Sequence, residues 1–539
     1  MRTTLFIFLF GVLAWTASAQ VPREHMRLYT DKECYLAGEE LWIKVCVTDS
    51  LYRDYPLSKV AYIEISDAKQ IYSQAKVALE NGTGWARIKL NPSMHSGTFR
   101  LMGYTRYMRN YPSSSFPKKY IAVLNAGQVS DEDAVDVVPD SLLESQETPT
   151  YQLQTDKPLY KNRDKVTLQL PQLPASLREL SLAVVRKDYT LPPYQAVNEA
   201  DEHVVSPGNK RYIAECEGHI AAGRLVTGVP DSVFTRLSCV GKDIRIFDGR
   251  LQPDGTYFFF TTGITDMQDV VLTSIPFQQS DCRPELVSPF MEALPKQLPP
   301  LRLACGEEAL LERSQGVQIY PLLPVDTLQE KGGLLKQLHS LVPTASYNLD
   351  EYVRFNTVRE ALIEFVVGVG VSKNAIRTLQ SDINRFSRQK TLVLLDGIPI
   401  ENHEAALNYN AHMLHYIHRY GGQYSFGGKI YDGIVSMITH KGTLPEMMLD
   451  INSQLLAYEF PQDRPSFRLP VYETPAQKLS RVPDFRHTLY WNPTLTPSER
   501  TFTFYTSDLN GDYEVTLRGI TEQGEPVEMK GFFRVEGGK

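Results

Sequence analysis

Beyond its first twenty residues the 539-residue sequence has no long apolar run, and it has no Cys-x-x-Cys pair and no cluster of lysine and arginine. Each absence removes a class of protein. A helix needs about 20 consecutive apolar residues to cross roughly 30 Å of hydrocarbon, so no transmembrane segment is expected after signal cleavage. Without cysteines at metal or redox spacing, neither a zinc ribbon nor a thiol-redox motif is indicated. Net charge is −7 with the basic residues dispersed, which argues against nucleic acid as a partner, because that binding relies on concentrated positive charge. No Gly-x-Ser-x-Gly elbow or other Ser/His/Asp or Cys/His signature occurs. The expectation is therefore a non-enzyme with no catalytic residues, no cofactor and no metal site.

Three local patterns come near to chemistry and fall short. His412, His415 and His418 recur every third residue. On a helix they spread over about 120°, and on a strand His415 faces away from the other two, so neither geometry makes a compact metal site. Gly421 to Lys429 is glycine-rich, but a phosphate-binding loop would need glycine at 423 and Ser or Thr at 430, where the chain has Gln423 and Ile430. A strand-joining turn fits better. The six cysteines (34, 46, 216, 239, 282 and 305) leave their pairing open, and Cys46 and Cys239 sit in apolar strand patterns expected of core thiols.

What is present begins with an export signal. Met1-Arg2 is followed by an apolar run from Leu5 to Trp15 and by Ala17-Ser18-Ala19, the small-residue pattern read by a signal peptidase. Residues 1–19 are expected to be removed, and no cysteine lies near the cleavage point to carry a lipid. The rest is too long for one core and implies several domains. Its 34 prolines, 29 tyrosines and 23 phenylalanines suit short strands broken by turns.

A repeat organises the first half. Thr30-Asp31-Lys32, Tyr35 and Leu41 to Val45 return as Thr155-Asp156-Lys157, Tyr160 and Val166 to Leu170. Each copy leads from a polar turn into a strand of period two, the mark of a sheet with one buried face. Ser130 to Thr148 between them is acidic and reads as a linker. Further strands are expected at Gly218–Val226, Ile244–Leu251, Thr256–Thr262 and Asp269–Ile275, interrupted by a loop from Leu191 to Asn209. Near Asp350 the pattern changes. Thr357 to Glu360 has the form of a capping box, and Val358, Ala361, Leu362 and Phe365 share a helical face. Apolar strands follow at Leu392–Leu395 and Ile434–Ile438, and the last residues return to strands at Thr501–Thr506, Tyr513–Arg518 and Val527–Val535.

Two resemblances give these segments names. TDKECYLAGEELWIKV from Thr30, TDKPLYKNRDKVTLQL from Thr155 and SGTFRLMGYTRYMRN from Ser96 resemble the macroglobulin-type β-sandwich of the alpha-2-macroglobulin superfamily. The second copy has Arg163 where the first has the turn glycine, Gly38. The pieces TVREALIEFVVGVGV, TLVLLDGIPI and YSFGGKIYDGIVSMITHKG, in that order, resemble the plug domain of TonB-dependent outer-membrane receptors. Such a plug sits in a barrel of about 22 strands, or about 220 residues, whereas fewer than 100 residues follow Gly442. A plug-like unit here is expected to stand free or to dock on another surface. Cys305-Gly306-Glu307-Glu308 is similar to the thioester sequence of macroglobulin-family traps, but Glu308 offers no amide to displace, so no thioester is expected.

The implied fold is mainly β: tandem immunoglobulin-like or macroglobulin-like sandwiches plus a small α+β plug-like domain. The expected divisions are a sandwich at 20–128, an acidic linker at 129–148, a second sandwich region at 149–312 that is either one enlarged sandwich or two small ones, a linker at 313–346, the plug-like domain at 347–443 and a β segment at 444–539. The implied function is that of a non-catalytic, exported accessory protein for binding or scaffolding, periplasmic or outer-membrane-associated. Its partners would be envelope proteins, including an outer-membrane receptor or complex. A macroglobulin-like endopeptidase inhibitor and an accessory component of TonB-dependent nutrient uptake are the alternatives.

Overall fold

The first repeat folds as a sandwich, but its strand Glu40–Asp49 is buried on both faces and not on one, because the second sandwich covers the face that carries Trp42 and Lys44. Strands Glu24–Thr30, Glu40–Asp49 and Thr83–Lys89 make one antiparallel sheet. Facing it lie Cys34–Leu36, Lys118–Leu124, Gly97–Thr105, Val60–Ser66 and Ile71–Ala78, in that order. Tyr35, Leu41, Ile43, Val45, Ile63, Phe99, Leu101 and Ile121 close the core between the two sheets. The computed structural model describes residues 23–49, 57–125, 136–137, 153–187, 212–226, 233–276, 282–303, 341–380, 385–386, 390–426, 429–442, 449, 452–467 and 469–537. The signal segment 1–19, the loop from Leu191 to Asn209 and Cys305 to Glu308 lie outside these residues. So does most of the two expected linkers; within the first, Asp136–Val137 pairs with Arg302–Leu303.

The second repeat builds the same arrangement from two distant pieces. Its three-stranded sheet is Gln154–Thr155, Lys165–Gln169 and Thr501–Tyr505. Its five-stranded sheet is Leu159–Tyr160, Pro526–Val535, Gly511–Ile520, Arg178–Arg186 and Thr488–Asn492. In both copies a short second strand runs parallel to the last strand. The copies differ at the hairpin between the fourth and fifth strands. In the first copy this is a tight turn closed by Asp67 N–H donating to the Gln70 carbonyl at 3.1 Å. In the second, everything between Arg186 and Thr488 is inserted there, and the Arg186 N–H meets the His487 carbonyl at 2.8 Å where the two ends come together. This differs from a sandwich contained in 149–312 and a separate segment at 444–539. The physical reason is that alternation fixes which face a strand buries but not which strand it pairs with.

The expected strands after residue 218 assemble as one seven-stranded antiparallel sheet. Its order is Pro284–Val287, Ile220–Leu225, Thr256–Phe260, Ile246–Leu251, Val233–Cys239, Met267–Pro276 and Ser453–Glu459. Its last strand follows the α+β unit in sequence, so that unit is an insertion within an insertion. Among the described residues no helix is long and apolar enough to cross a membrane.

In the α+β unit the sheet order is Ala345–Asn348, Leu414–Phe426, Lys429–Thr439, Leu392–Leu395 and Ile398–Pro399, and Leu392–Leu395 runs parallel to Lys429–Thr439. Helix Val358–Glu364 begins with the expected capping box of Thr357 and Glu360. One face of the sheet packs Val393, Leu395, Ile417, Val435 and Met437 against Val358, Leu362 and Leu407. The other packs Leu392, Leu394, Tyr420 and Ile434 against Ile244 and Ile246 of the seven-stranded region. Burial on both faces is why these runs do not alternate. Val271 of the larger sheet joins the first of these cores, so the unit docks on its host.

Candidate functional site

The repeated TDK motif proves to be a scaffold device. Tyr35 donates to Asp31 Oδ1 at 2.7 Å, which also accepts from the Trp42 N–H at 3.2 Å, while Thr30 Oγ1 donates to the Lys32 carbonyl at 2.7 Å. In the second copy Tyr160 donates to Asp156 Oδ1 at 2.8 Å, the Thr167 N–H to the same atom at 2.6 Å, and Thr155 Oγ1 to the Lys157 carbonyl at 2.6 Å. The motif therefore ties a turn to the edge of the following strand in each sandwich.

Further polar groups lock the two sandwiches together. Thr488 donates to Asp31 Oδ2 at 2.8 Å and Lys44 Nζ to the Leu180 carbonyl at 2.9 Å, both in buried positions. A register shift between Arg178 and Ser181 places Glu179 at φ +54°, and its carboxylate accepts from Arg27 at 3.0 Å and Tyr29 at 3.1 Å. Trp42 packs at 5.4 Å from Trp491 and 5.1 Å from Phe467.

A second network joins the first sandwich to the seven-stranded sheet. Tyr62 donates to Glu215 Oε1 at 2.8 Å, His219 Nδ1 lies 3.1 Å from the same oxygen, and His219 Nε2 lies 2.6 Å from the Tyr458 hydroxyl. A neutral His219 with its proton on Nδ1 satisfies all three partners. Burial pushes the Tyr62 hydroxyl well up, with Glu215 adding to the effect, and holds His219 below its ordinary value. Lys76 lies 4.0 Å from the Tyr458 ring centre, and burial pulls it down to about 8. A chain of Tyr, Glu, His and Tyr has the groups for proton transfer, but Tyr62 and Glu215 are 0% exposed and His219 2%. Those three groups are closed off from solvent among the described residues. The partners in this network come from three separate stretches of chain, and no local spacing in the sequence announces them.

The residues weighed in the sequence fall as follows. Cys46 and Cys239 are buried thiols, each pushed up to about 12 by burial. Gly421 to Phe426 continue a strand that pairs with Lys429–Thr439, a hairpin arm and not a phosphate loop. His412 is exposed and leads into the strand carrying His415 and His418. His415 instead approaches His440, their rings stacking at 5.1 Å, and both imidazoles face Asp350, at 3.5 and 3.2 Å. Arg354 shares that carboxylate. Among the described residues no group of three or more His, Cys, Asp or Glu could hold a metal ion.

Sequence reading missed a surface feature of the α+β unit. Val353 is 81% exposed, Val367 73%, Ile363 60% and Tyr352 42%. Near them in sequence, Tyr352 stacks on Phe365 at 4.5 Å, with Phe355 and Tyr347 at 6.0 and 6.1 Å from Phe365. The Tyr347 hydroxyl accepts from the Val367 N–H at 3.0 Å and ties that residue to the aromatic group. The helical signal at 358–365 accounted for the buried side of this segment; Ile363 and Val367 lie off that face.

No family model and no curated protein matches the chain. Among solved structures it is similar to trypsin-activated alpha-2-macroglobulin from Escherichia coli, at 8% identity and TM-score 0.16, over 96% of this chain and 24% of that one. It is similar to Salmonella alpha-2-macroglobulin reacted with methylamine at 8% identity and TM-score 0.16, over 95% and 23%. It is also similar to FdeC, an adhesin of E. coli, at 9% identity and TM-score 0.15, over 52% and 64%. The chain spans about a quarter of the length of these macroglobulins.

Proposed function

We propose that this is a non-catalytic, exported protein of a Gram-negative cell envelope that binds or scaffolds other proteins, with residues 345–439 as its docking module. The observation that carries the reading is the nested insertion. Strand Ser453–Glu459 closes the seven-stranded sheet after the α+β unit, and strands Thr488–Asn492 to Pro526–Val535 close the second sandwich after both. A unit anchored at both ends keeps a defined orientation, which suits a presenting scaffold. The plug-like sequence of this unit adds an outer-membrane receptor complex to the partner classes, and the Ala-Ser-Ala ending of the first segment supports export. Crosslinking of the full-length protein in its native envelope, followed by capture and mass spectrometry, tests this. Envelope proteins crosslinked within 341–442 are expected. Crosslinks confined to the two sandwiches would move the docking role to their loops, and recovery of no envelope protein above the untagged control would overturn the reading.

A further inference from the structure

The joint between the first sandwich and the seven-stranded sheet is built around one imidazole. His219 directly precedes strand Ile220–Leu225, and its carbonyl accepts from the Thr261 N–H at 2.9 Å and the Thr261 hydroxyl at 2.7 Å, so its backbone belongs to the sheet. Its ring reaches two further elements. Tyr62 comes from strand Val60–Ser66 of the first sandwich, and its hydroxyl lies 3.1 Å from Nδ1. Tyr458 comes from Ser453–Glu459, the edge strand through which the chain returns from the α+β unit, and its ring stacks on the imidazole at 5.8 Å.

The charges around this ring are balanced. The first sandwich contributes Lys76 and Arg106, the segment before His219 contributes Glu215, and the edge strand contributes Glu459 beside Tyr458 and Lys76. Lys76 donates to the Glu459 carbonyl, and the Arg106 guanidinium lies 5.3 Å from the Phe258 ring centre; both side chains are buried. Two cations and two carboxylates leave no net charge around a neutral imidazole. A proton on His219 adds one positive charge inside the joint, where an uncompensated charge is costly. It also removes a hydrogen bond. Neutral His219 holds its proton on Nδ1 toward Glu215 and accepts from Tyr458 at Nε2, 2.6 Å away. A protonated Nε2 donates instead, and the Tyr458 hydroxyl proton then has no other acceptor among the described residues. The edge strand is the element placed to respond, because it pairs with Met267–Pro276 on one side only.

We propose that this joint is an acid-sensitive latch, in which protonation of His219 releases Tyr458 and loosens strand Ser453–Glu459, with the residues that follow it to Gln462, from the first sandwich. The opened imidazole takes up its proton near pH 6.5 and the closed one only at lower pH, so acid favours the open joint. Release parts the Lys76 side chain from the Glu459 carbonyl and the Gln462 N–H from the Lys76 carbonyl, now at 2.8 Å. Glu215 stays with the first sandwich through Tyr62 and through the Lys59 N–H at 2.9 Å. The latch therefore acts on one anchor of the α+β unit, whatever that unit binds.

Hydrogen exchange of the full-length mature protein at pH 7.5 and pH 5.0, with labelling times scaled for the intrinsic rate, tests this. A one-proton difference raises the opening constant by at most about ten-fold per pH unit, so protection at 453–462 is expected to fall by about ten-fold at pH 5.0. Protection at 24–49 and 501–535 should hold. His219→Gln removes the titrating group and should abolish the difference between the two pH values. Uniform loss across the chain at pH 5.0, or an undiminished difference in His219→Gln, overturns the latch. If His219→Gln is already unprotected at 453–462 at pH 7.5, Lys76→Gln decides. With one cation fewer, the closed joint tolerates the proton, and the acid-induced loss should be smaller than in wild type. An equal or larger loss in that variant overturns the proposal.

Discussion

Gly38 and Arg163 occupy equivalent turns of the two sandwiches, and both have left-handed backbone, at φ +87° and +58°. Glycine adopts this freely; arginine does so at a cost of about 1–3 kcal/mol. The arginine side chain accounts for its presence. Arg163 Nε and Nη2 grip Asp508 at 2.8 and 2.6 Å, and the guanidinium also reaches the carbonyls of Lys478, Ser480 and Val482 at 2.8–3.0 Å. It thereby holds the end of the insertion against the sandwich that receives it. Arg163→Gly should relieve the backbone and still destabilise by about 1–2 kcal/mol in denaturant titration, because the charged hydrogen bonds outweigh the strain. A gain in stability would show the clamp to be dispensable. His219 gives a second test. Burial holds it below about 6.5, with Glu215 opposing and Lys76 and Arg106 reinforcing the shift. A buried neutral imidazole stabilises fully above its unfolded pKa and loses that contribution as pH falls from about 6.5 through the lower folded value. His219→Gln should therefore flatten the fall in unfolding temperature between about pH 6.5 and 5. Equal slopes for variant and wild type would remove His219 from the pH response.

At the scale of elements, local chemistry was legible and partnership was not. The capping box at Thr357, the strands at Leu392–Leu395 and Ile434–Ile438 and the strands after residue 218 follow from side-chain periodicity and turn residues, which act over a few positions. The Glu179 bulge and the contacts of the Asp396-Gly397 turn depend on what lies opposite, and no short window of sequence holds that. Asp396 accepts from the N–H and hydroxyl of Thr439 at 2.8 and 2.7 Å, and its carbonyl accepts from the Gly241 N–H at 2.9 Å. Gly397 has φ +81°, and a Cβ there would lie 2.8 Å from the Cys239 carbonyl oxygen and 3.1 Å from that of Gly241. Gly397→Val is thus predicted to combine backbone strain with a clash, at a cost of about 2–4 kcal/mol. Hydrogen exchange should show lost protection at 392–399 and also at 237–246, because the turn is a joint between two units. Loss confined to 345–439 would mean that the α+β unit is independent of its host.

At the scale of the whole molecule, the TDK repeat marks two sandwiches that are closed in different ways. The first closes within about a hundred residues. The second takes four of its eight strands from residues 488–535. A long insertion is tolerable because the entropy of closing a loop grows only logarithmically with its length, and because Arg186 and His487 already sit side by side. The sequence marked the domain length of the first copy and could not mark the interruption of the second, since the strands at 501–505 and 511–520 look alike whether they pair with a neighbour or with residues far upstream. A single substitution separates these cases. Gly531 lies in the last strand, and a Cβ on it would stand 2.2 Å from the carbonyl oxygen of Leu153 and 2.8 Å from the Leu153 side chain. The Leu153 N–H donates to the Lys530 carbonyl at 3.0 Å, so the two segments are too close to part without cost. Gly531→Val should overpack this contact and destabilise by about 1–3 kcal/mol. In hydrogen exchange, protection should fall at 153–186 as well as at 488–535, while 24–124 keeps its own core and its protection. If only the C-terminal strands loosen and 153–186 is unchanged, the second sandwich is not closed by the distant segment. If 24–124 loosens equally, the buried bonds from Asp31 and Lys44 fuse the two sandwiches into one cooperative unit.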